Sequence, residues 1–120
     1  MTREPFEAGD VVWAPDPYHA GDVSLADEDA RPWLVISLPQ TYPHHGDDYL
    51  CCALTSVPKP DDANYIALAA KDWLEGGPRK PSWIDAQTLI TIKHAWTGGY
   101  IGRVTDPQTN RARRIIKGFF

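Results

Sequence analysis

Apolar residues along this chain come in short runs, and proline or glycine interrupts nearly every one. The first run is Asp10 to Ala14 (DVVWA), introduced by Gly9 and stopped by Pro15 and Pro17. A polar, acidic loop follows from about Asp16 to Ala30, a length that in a small domain goes with function or with disorder. Trp33 to Leu38 is apolar almost throughout, the pattern of a strand buried on both faces, and Pro39 ends it. The polar stretch QTYPHHGDD makes the next loop, and Tyr49 to Thr55 is again a nearly continuous apolar run before Pro58 and Pro60. Tyr65 to Ala69 reads as a fourth strand, and LEGGPRKP as a loop. Ser82 to Ala86 and Thr88 to Ile92 read as two further strands, the second β-branched except at Leu89. Tyr100 to Val104 adds a short edge strand. Breakers at this density favour many short strands over long helices.

The tail changes period. In TDPQTNRARRIIKGFF, Asp106 stands as N-cap, Pro107 at the first helical position and Gly118 as the stop. Ala112, Ile115, Ile116 and Phe119 fall on one face at three-and-four spacing. A helix this short needs a surface to dock on. The expected architecture is mainly β: a small, strongly bent barrel closed by a terminal helix, one domain over residues 1–120, without internal repeats.

Composition narrows the class. A chain of 120 residues with 42% hydrophobic and 23% charged residues has the make-up of a soluble globular domain with a modest core. No apolar stretch reaches the length of a membrane span, and MTREPFEAGD lacks a signal-peptide core, so a cytoplasmic protein without membrane contact is expected. The net charge of −4 is not the footprint of a basic nucleic-acid-binding domain, although Arg103, Arg111, Arg113, Arg114 and Lys117 gather near the C-terminus. That basic cluster reads either as a phosphate-neutralising patch or as a helix end complementing its own dipole. Cys51 and Cys52 are neighbours in a strand and point to opposite faces, which makes them reduced packing residues rather than a disulfide.

Two strand ends carry candidate chemistry. Arg31 stands before Pro32 at the mouth of ARPWLVIS, and Pro32 biases Arg31 to an extended backbone. Thr55 and Ser56 close CCALTS. The ordered set GDVVWA, a long loop, RPWLVIS, CCALTS, PSWIDAQTLITI, GYIGRV and a terminal helix resembles the MazF/PemK-like toxins, from about Gly9 to the end. The resemblance implies an SH3-like barrel and a homodimer. It also implies an endoribonuclease that cuts single-stranded RNA with no metal or other cofactor, held inactive by a cognate antitoxin. The arginine of the RP element, here Arg31, is then the principal catalytic residue, and the hydroxyl matching Thr55 assists it, with Ser56 beside it. In such chemistry the 2′-hydroxyl attacks the adjacent phosphorus and leaves a 2′,3′-cyclic phosphate and a 5′-hydroxyl. An arginine fork suits phosphate oxygens in pairs, and a hydroxyl adds a further donor. The related CcdB-type toxins suggest the alternative: a module that binds an antitoxin or gyrase and cleaves nothing.

Other residues have weaker claims. His19 in the long loop is a candidate proton shuttle or a solvent-exposed side chain. Arg79 and Lys80 in LEGGPRKP are candidates for holding phosphate, or belong to a solvated loop. His44 and His45 are metal-ligand types without a matching pair elsewhere, and they read as a turn. Trp13, Trp33 and Trp83 sit within strand patterns and read as core; Trp73 and Trp96 are the better candidates for exposed contact. Asp27, Glu28 and Asp29 depart from the toxin pattern. They repel an RNA backbone, hold Arg31 in place, or supply a general base.

Overall fold

The computed structural model describes residues 6–15, 30–38, 48–58, 60–78 and 80–120. Seven strands are present among them: β1 (Asp10–Pro15), β2 (Ala30–Val35), β3 (Asp48–Thr55), β4 (Tyr65–Leu68), β5 (Trp73–Gly76), β6 (Ser82–Lys93) and β7 (Gly99–Val104). They pair antiparallel in the order β4-β6-β3-β2-β1-β7-β5 and curl into a half-barrel. A C-terminal helix, α1 (Asp106–Lys117), completes the mainly β, SH3-like architecture that the sequence implies. Among the described residues no helix is long and apolar enough to cross a membrane.

Alternation along the central strands separates two cores. Val11, Leu34, Cys52, Leu54, Ile66, Ile84 and Val104 share one face, and α1 lays Ala112 and Ile116 against it. Val12, Ala14, Trp33, Val35, Cys51, Ala53 and Ile92 share the other, with Phe6 and Tyr49. β2 is thus buried on both faces, as its unbroken apolar run indicates. Cys51 and Cys52 are free and fall in different cores, the consequence of the two-residue period. Burial, reinforced by the negative charge of Asp85, pushes the Cys52 thiol up to about 12, so it is inert packing.

Several boundaries differ from the sequence expectation. β2 begins at Ala30 rather than Trp33, so Arg31 and Pro32 lie inside the strand. The two strands expected from Ser82 to Ile92 are one, β6, kinked by a bulge: Cys52 pairs with Leu89 but Ala53 pairs with Asp85, which loops out Ala86, Gln87 and Thr88. Part of the expected loop LEGGPRKP, together with Trp73, forms β5 on the outer edge of β7. Its backbone approaches so closely that a Cβ on Gly102 would lie 2.5 Å from the Glu75 carbonyl oxygen and 2.6 Å from the Gly77 nitrogen. Gly102→Ala is expected to destabilise the domain by about 1–3 kcal/mol in urea unfolding, because backbone must move to admit the methyl group.

Helix α1 starts one residue earlier than expected: Thr105 is the N-cap, and Asp106 and Pro107 occupy the first turn. Asp106 still lies where a negative charge complements the helix dipole. The helix is tied down by polar contacts as well as by its apolar face. Gln108 Nε2 donates to Asp72 at 3.1 Å, and Arg113 Nε donates to the Ile36 carbonyl at 2.8 Å. Arg113 therefore leaves the exposed basic cluster of the tail, while Arg111, Arg114 and Lys117 stay exposed. Phe119 and Phe120 are also exposed.

Candidate active site

The geometry at Arg31 follows from a missing donor. β2 and β3 pair as Val35 with Cys51, Leu34 with Cys52, and Trp33 with Ala53. The Ile36 N–H donates to the Leu50 carbonyl at 2.9 Å, and the ladder advances two residues per rung. The rung due at Leu54 falls to residue 32, a proline, which has no N–H to give. Arg31 fills the vacancy: its Nη2 donates to the Leu54 carbonyl at 2.7 Å. Its guanidinium carbon also lies 5.5 Å from the centroid of the Trp33 ring, within cation–π range. The proline thus does more than hold Arg31 extended. It frees the carbonyl that fixes the arginine over the strand beside it.

The same register, continued two residues, sets Arg31 opposite Thr55, and cross-strand partners point to one face. Thr55 is half-buried, and its Oγ1 accepts from the Val57 N–H at 3.2 Å, which fixes the hydroxyl at the end of β3. Ser56 follows on the exposed bend. Lys80 is exposed just ahead of β6, where its carbonyl accepts from Ser82 Oγ at 3.2 Å. His19, Arg79, the acidic triplet Asp27, Glu28 and Asp29, and the His44–His45 pair lie outside the described residues. Within the described residues no cluster of three or more His, Cys, Asp or Glu side chains is arranged to hold a metal ion.

Two groups that the sequence reading passed over share this face. Asp85 on β6 pairs across from Ala53 and, on its other side, from Tyr65 on β4. It is 8% exposed, and both carboxylate oxygens are engaged: Oδ1 accepts from the Gln87 N–H at 3.0 Å and Oδ2 from the Thr88 hydroxyl at 2.7 Å. Both donors come from the bulge, so the kink in β6 orients this carboxylate. Desolvation and the negative charges of Asp85 and Asp62 push the Tyr65 phenol above its ordinary value, while the nearby charge of Arg31 pulls it down. Tyr65 is therefore a protonated hydroxyl that feels both Arg31 and Asp85. The one available signal was an acidic residue inside the otherwise apolar start of PSWIDAQ.

The tryptophans divide differently from expectation. Trp33 is fully buried and donates from Nε1 to the Ala14 carbonyl at 3.2 Å. Trp13 is 43% exposed, not core. Trp83 is half-buried on the Thr55 face. Trp73 packs against the helix-side core rather than standing free, and Trp96 is exposed as anticipated. The His94 ring lies tilted against Phe6, with Nδ1 2.7 Å from the Tyr49 hydroxyl.

A curled seven-stranded antiparallel half-barrel with one C-terminal helix defines a recognisable class. The profile of the family described as PemK-like, MazF-like toxin of type II toxin-antitoxin system matches residues 7–120, and the chain belongs to that family. Solved structures agree on the fold. An endoribonuclease from Mycobacterial species superposes with a TM-score of 0.70 at 19% identity, covering 98% of this chain and 93% of that one. An endoribonuclease in complex with its cognate antitoxin, also from Mycobacterial species, gives a TM-score of 0.65 at 20% identity, covering 94% and 92%. MazF (Form-I) from Deinococcus radiodurans gives 0.71 at 16% identity, covering 98% and 97%. A search of curated proteins found no significant match.

Proposed function

We propose that this chain is the toxin of a toxin–antitoxin pair and acts as an endoribonuclease on single-stranded RNA. The observation that carries the reading is the bond from Arg31 to the Leu54 carbonyl, one residue before Thr55; the β2–β3 register, extended past its last pair Trp33–Ala53, sets both side chains on one sheet face. A phosphodiester seated there meets a guanidinium fork and a hydroxyl, the donors that the extra negative charge of a pentacoordinate phosphorus calls for. The substrate 2′-hydroxyl is the nucleophile. Among the described residues, Asp85, oriented by its two hydrogen bonds, is the carboxylate on this face placed to take the proton. Tyr65 keeps its own proton at neutral pH and serves as a hydrogen-bond donor. The P–O5′ bond breaks as the 2′-oxygen adds, and the departing 5′-oxygen takes a proton from water; products carry a 2′,3′-cyclic phosphate and a 5′-hydroxyl, and the arginine supplies the positive charge without a metal. Ser56, Lys80, Arg79 and His19 flank this centre in sequence and are proposed contacts to the RNA backbone.

A cognate antitoxin is the proposed protein partner, supported by the similarity to a toxin solved with its antitoxin. A homodimer is the proposed assembly. A second reading, a non-cleaving protein-binding toxin, draws on the exposed Phe119 and Phe120 at the end of the helix. End mapping separates the two. Purified protein incubated with single-stranded RNA and a chelator is expected to cut at defined positions, leaving ends that polynucleotide kinase labels without prior phosphatase. Intact RNA under these conditions, with growth arrest retained on expression, supports the second reading instead.

A further inference from the structure

Beyond the phosphate-handling residues, we infer that Trp83 is a stacking platform for an unpaired base next to the cleaved phosphodiester, and so a determinant of which RNA positions are cut. The inference rests on the nuclease reading of the Arg31–Thr55 face. One rung of the sheet carries it. Ala67 on β4 pairs with Trp83 on β6, Trp83 pairs with Thr55 on β3, and the β2–β3 register continues that rung to Arg31. All four side chains project from the same face, because directly opposed residues do so. With strands about 5 Å apart, the Trp83 backbone lies roughly 5 Å from that of Thr55 and about 10 Å from that of Arg31. A nucleotide whose phosphate sits at Arg31 and Thr55 has its neighbouring base at this reach.

Among the described residues, the neighbours of Trp83 leave part of its ring exposed. Trp83 is half-buried, whereas Trp33 on the same face is fully enclosed and hydrogen-bonded to the Ala14 carbonyl. Its neighbour on the edge strand is Ala67, an exposed residue whose methyl group is too small to cover an indole. Its neighbours along β6, Ser82 and Ile84, are buried on the opposite face. Aromatic faces receive any base, so the platform positions a base, and selectivity among bases comes from the groups at its edge. Tyr65, one rung along on β4, is such a group, with a protonated hydroxyl.

The test uses the full-length protein and an RNA oligonucleotide spanning a mapped cut site. Trp83→Ala is expected to raise KM by roughly 10- to 100-fold, the range of a lost base stack. Its kcat is expected to stay within about threefold, because stacking of this kind is present before and during the reaction. Trp83→Phe is expected to recover most of the loss. A single abasic site at one position flanking the cut is expected to penalise the wild type by a similar factor and Trp83→Ala by almost nothing. Unchanged KM in Trp83→Ala overturns the proposal, as does an abasic penalty that persists at every position in that variant. Binding gives a separate readout. The same oligonucleotide with a 2′-deoxy residue at the cut position cannot be cleaved, and it is expected to quench tryptophan fluorescence in the wild type but not in Trp83→Phe. A wild type that binds with this quench yet never cuts RNA sinks the nuclease reading and leaves the platform standing. Equal quench in wild type and Trp83→Phe removes the platform.

Discussion

Arg31→Ala is expected to reduce RNA cleavage by a factor on the order of 10² to 10³ in kcat, the size seen when a preorganised donor to a developing oxyanion is removed. The loss falls on kcat more than on KM, because the extra negative charge is greatest in the transition state. Single-turnover cleavage of a labelled oligonucleotide measures it directly. Arg31→Lys is the sharper variant. Lysine keeps the charge but has a single point of donation instead of a planar fork. In the native site one nitrogen of the fork already serves the Leu54 carbonyl, which Pro32 leaves without a rung partner. A lysine ammonium cannot reproduce that geometry while facing phosphate, so Arg31→Lys is expected to recover little. Circular dichroism and thermal unfolding near the wild-type values are required for the result to count as chemistry. Full activity in Arg31→Ala would remove the site assigned here.

Trp33→Ala is expected to produce the largest loss of stability among single substitutions on the site face, about 3–5 kcal/mol. Trp33 is fully buried between β1 and β3, packs among Val12, Val35 and Ala53, and donates to the Ala14 carbonyl. Against a typical domain stability of about 5–15 kcal/mol, such a loss leaves little folded protein near physiological temperature. Urea denaturation followed by far-UV circular dichroism reads it. Trp33→Phe keeps a ring beneath Arg31 and loses the N–H that donates to the Ala14 carbonyl, so the expected cost falls to about 1–3 kcal/mol, from the lost hydrogen bond and the space the smaller ring leaves. If both variants unfold at the wild-type midpoint, Trp33 is not the anchor of this face.

These two substitutions also mark how far the sequence reaches. Arg31 and Thr55 are candidates from the sequence alone because one opens and the other closes an apolar run, and because the order of such runs resembles a known family. Asp85 and Tyr65 are not, because their place on the Arg31 face depends on pairings between β3, β6 and β4, which are far apart along the chain. Along the sequence, the bulge at Ala86, Gln87 and Thr88 looks like a gap between two strands. A local pattern cannot distinguish a turn from three residues looped out of a continuous ladder. In the sequence, β5 looks like loop because Gly76 and Gly77 are turn formers. In fact glycine permits the close approach of β5 to β7.

By itself, the sequence determined the strand-rich class, the two-faced burial of the central strands, the separation of Cys51 from Cys52 and the terminal helix. All of these follow from periodicity and from what proline and glycine forbid locally. Only the tertiary structure decided which strands lie side by side. That choice made Pro32 a deleted rung rather than a simple breaker, turned Arg31 toward Leu54, drew Arg113 out of the basic tail, and left Trp83 half-buried while enclosing Trp33. Register is a property of pairs of strands, so no single run of residues contains it.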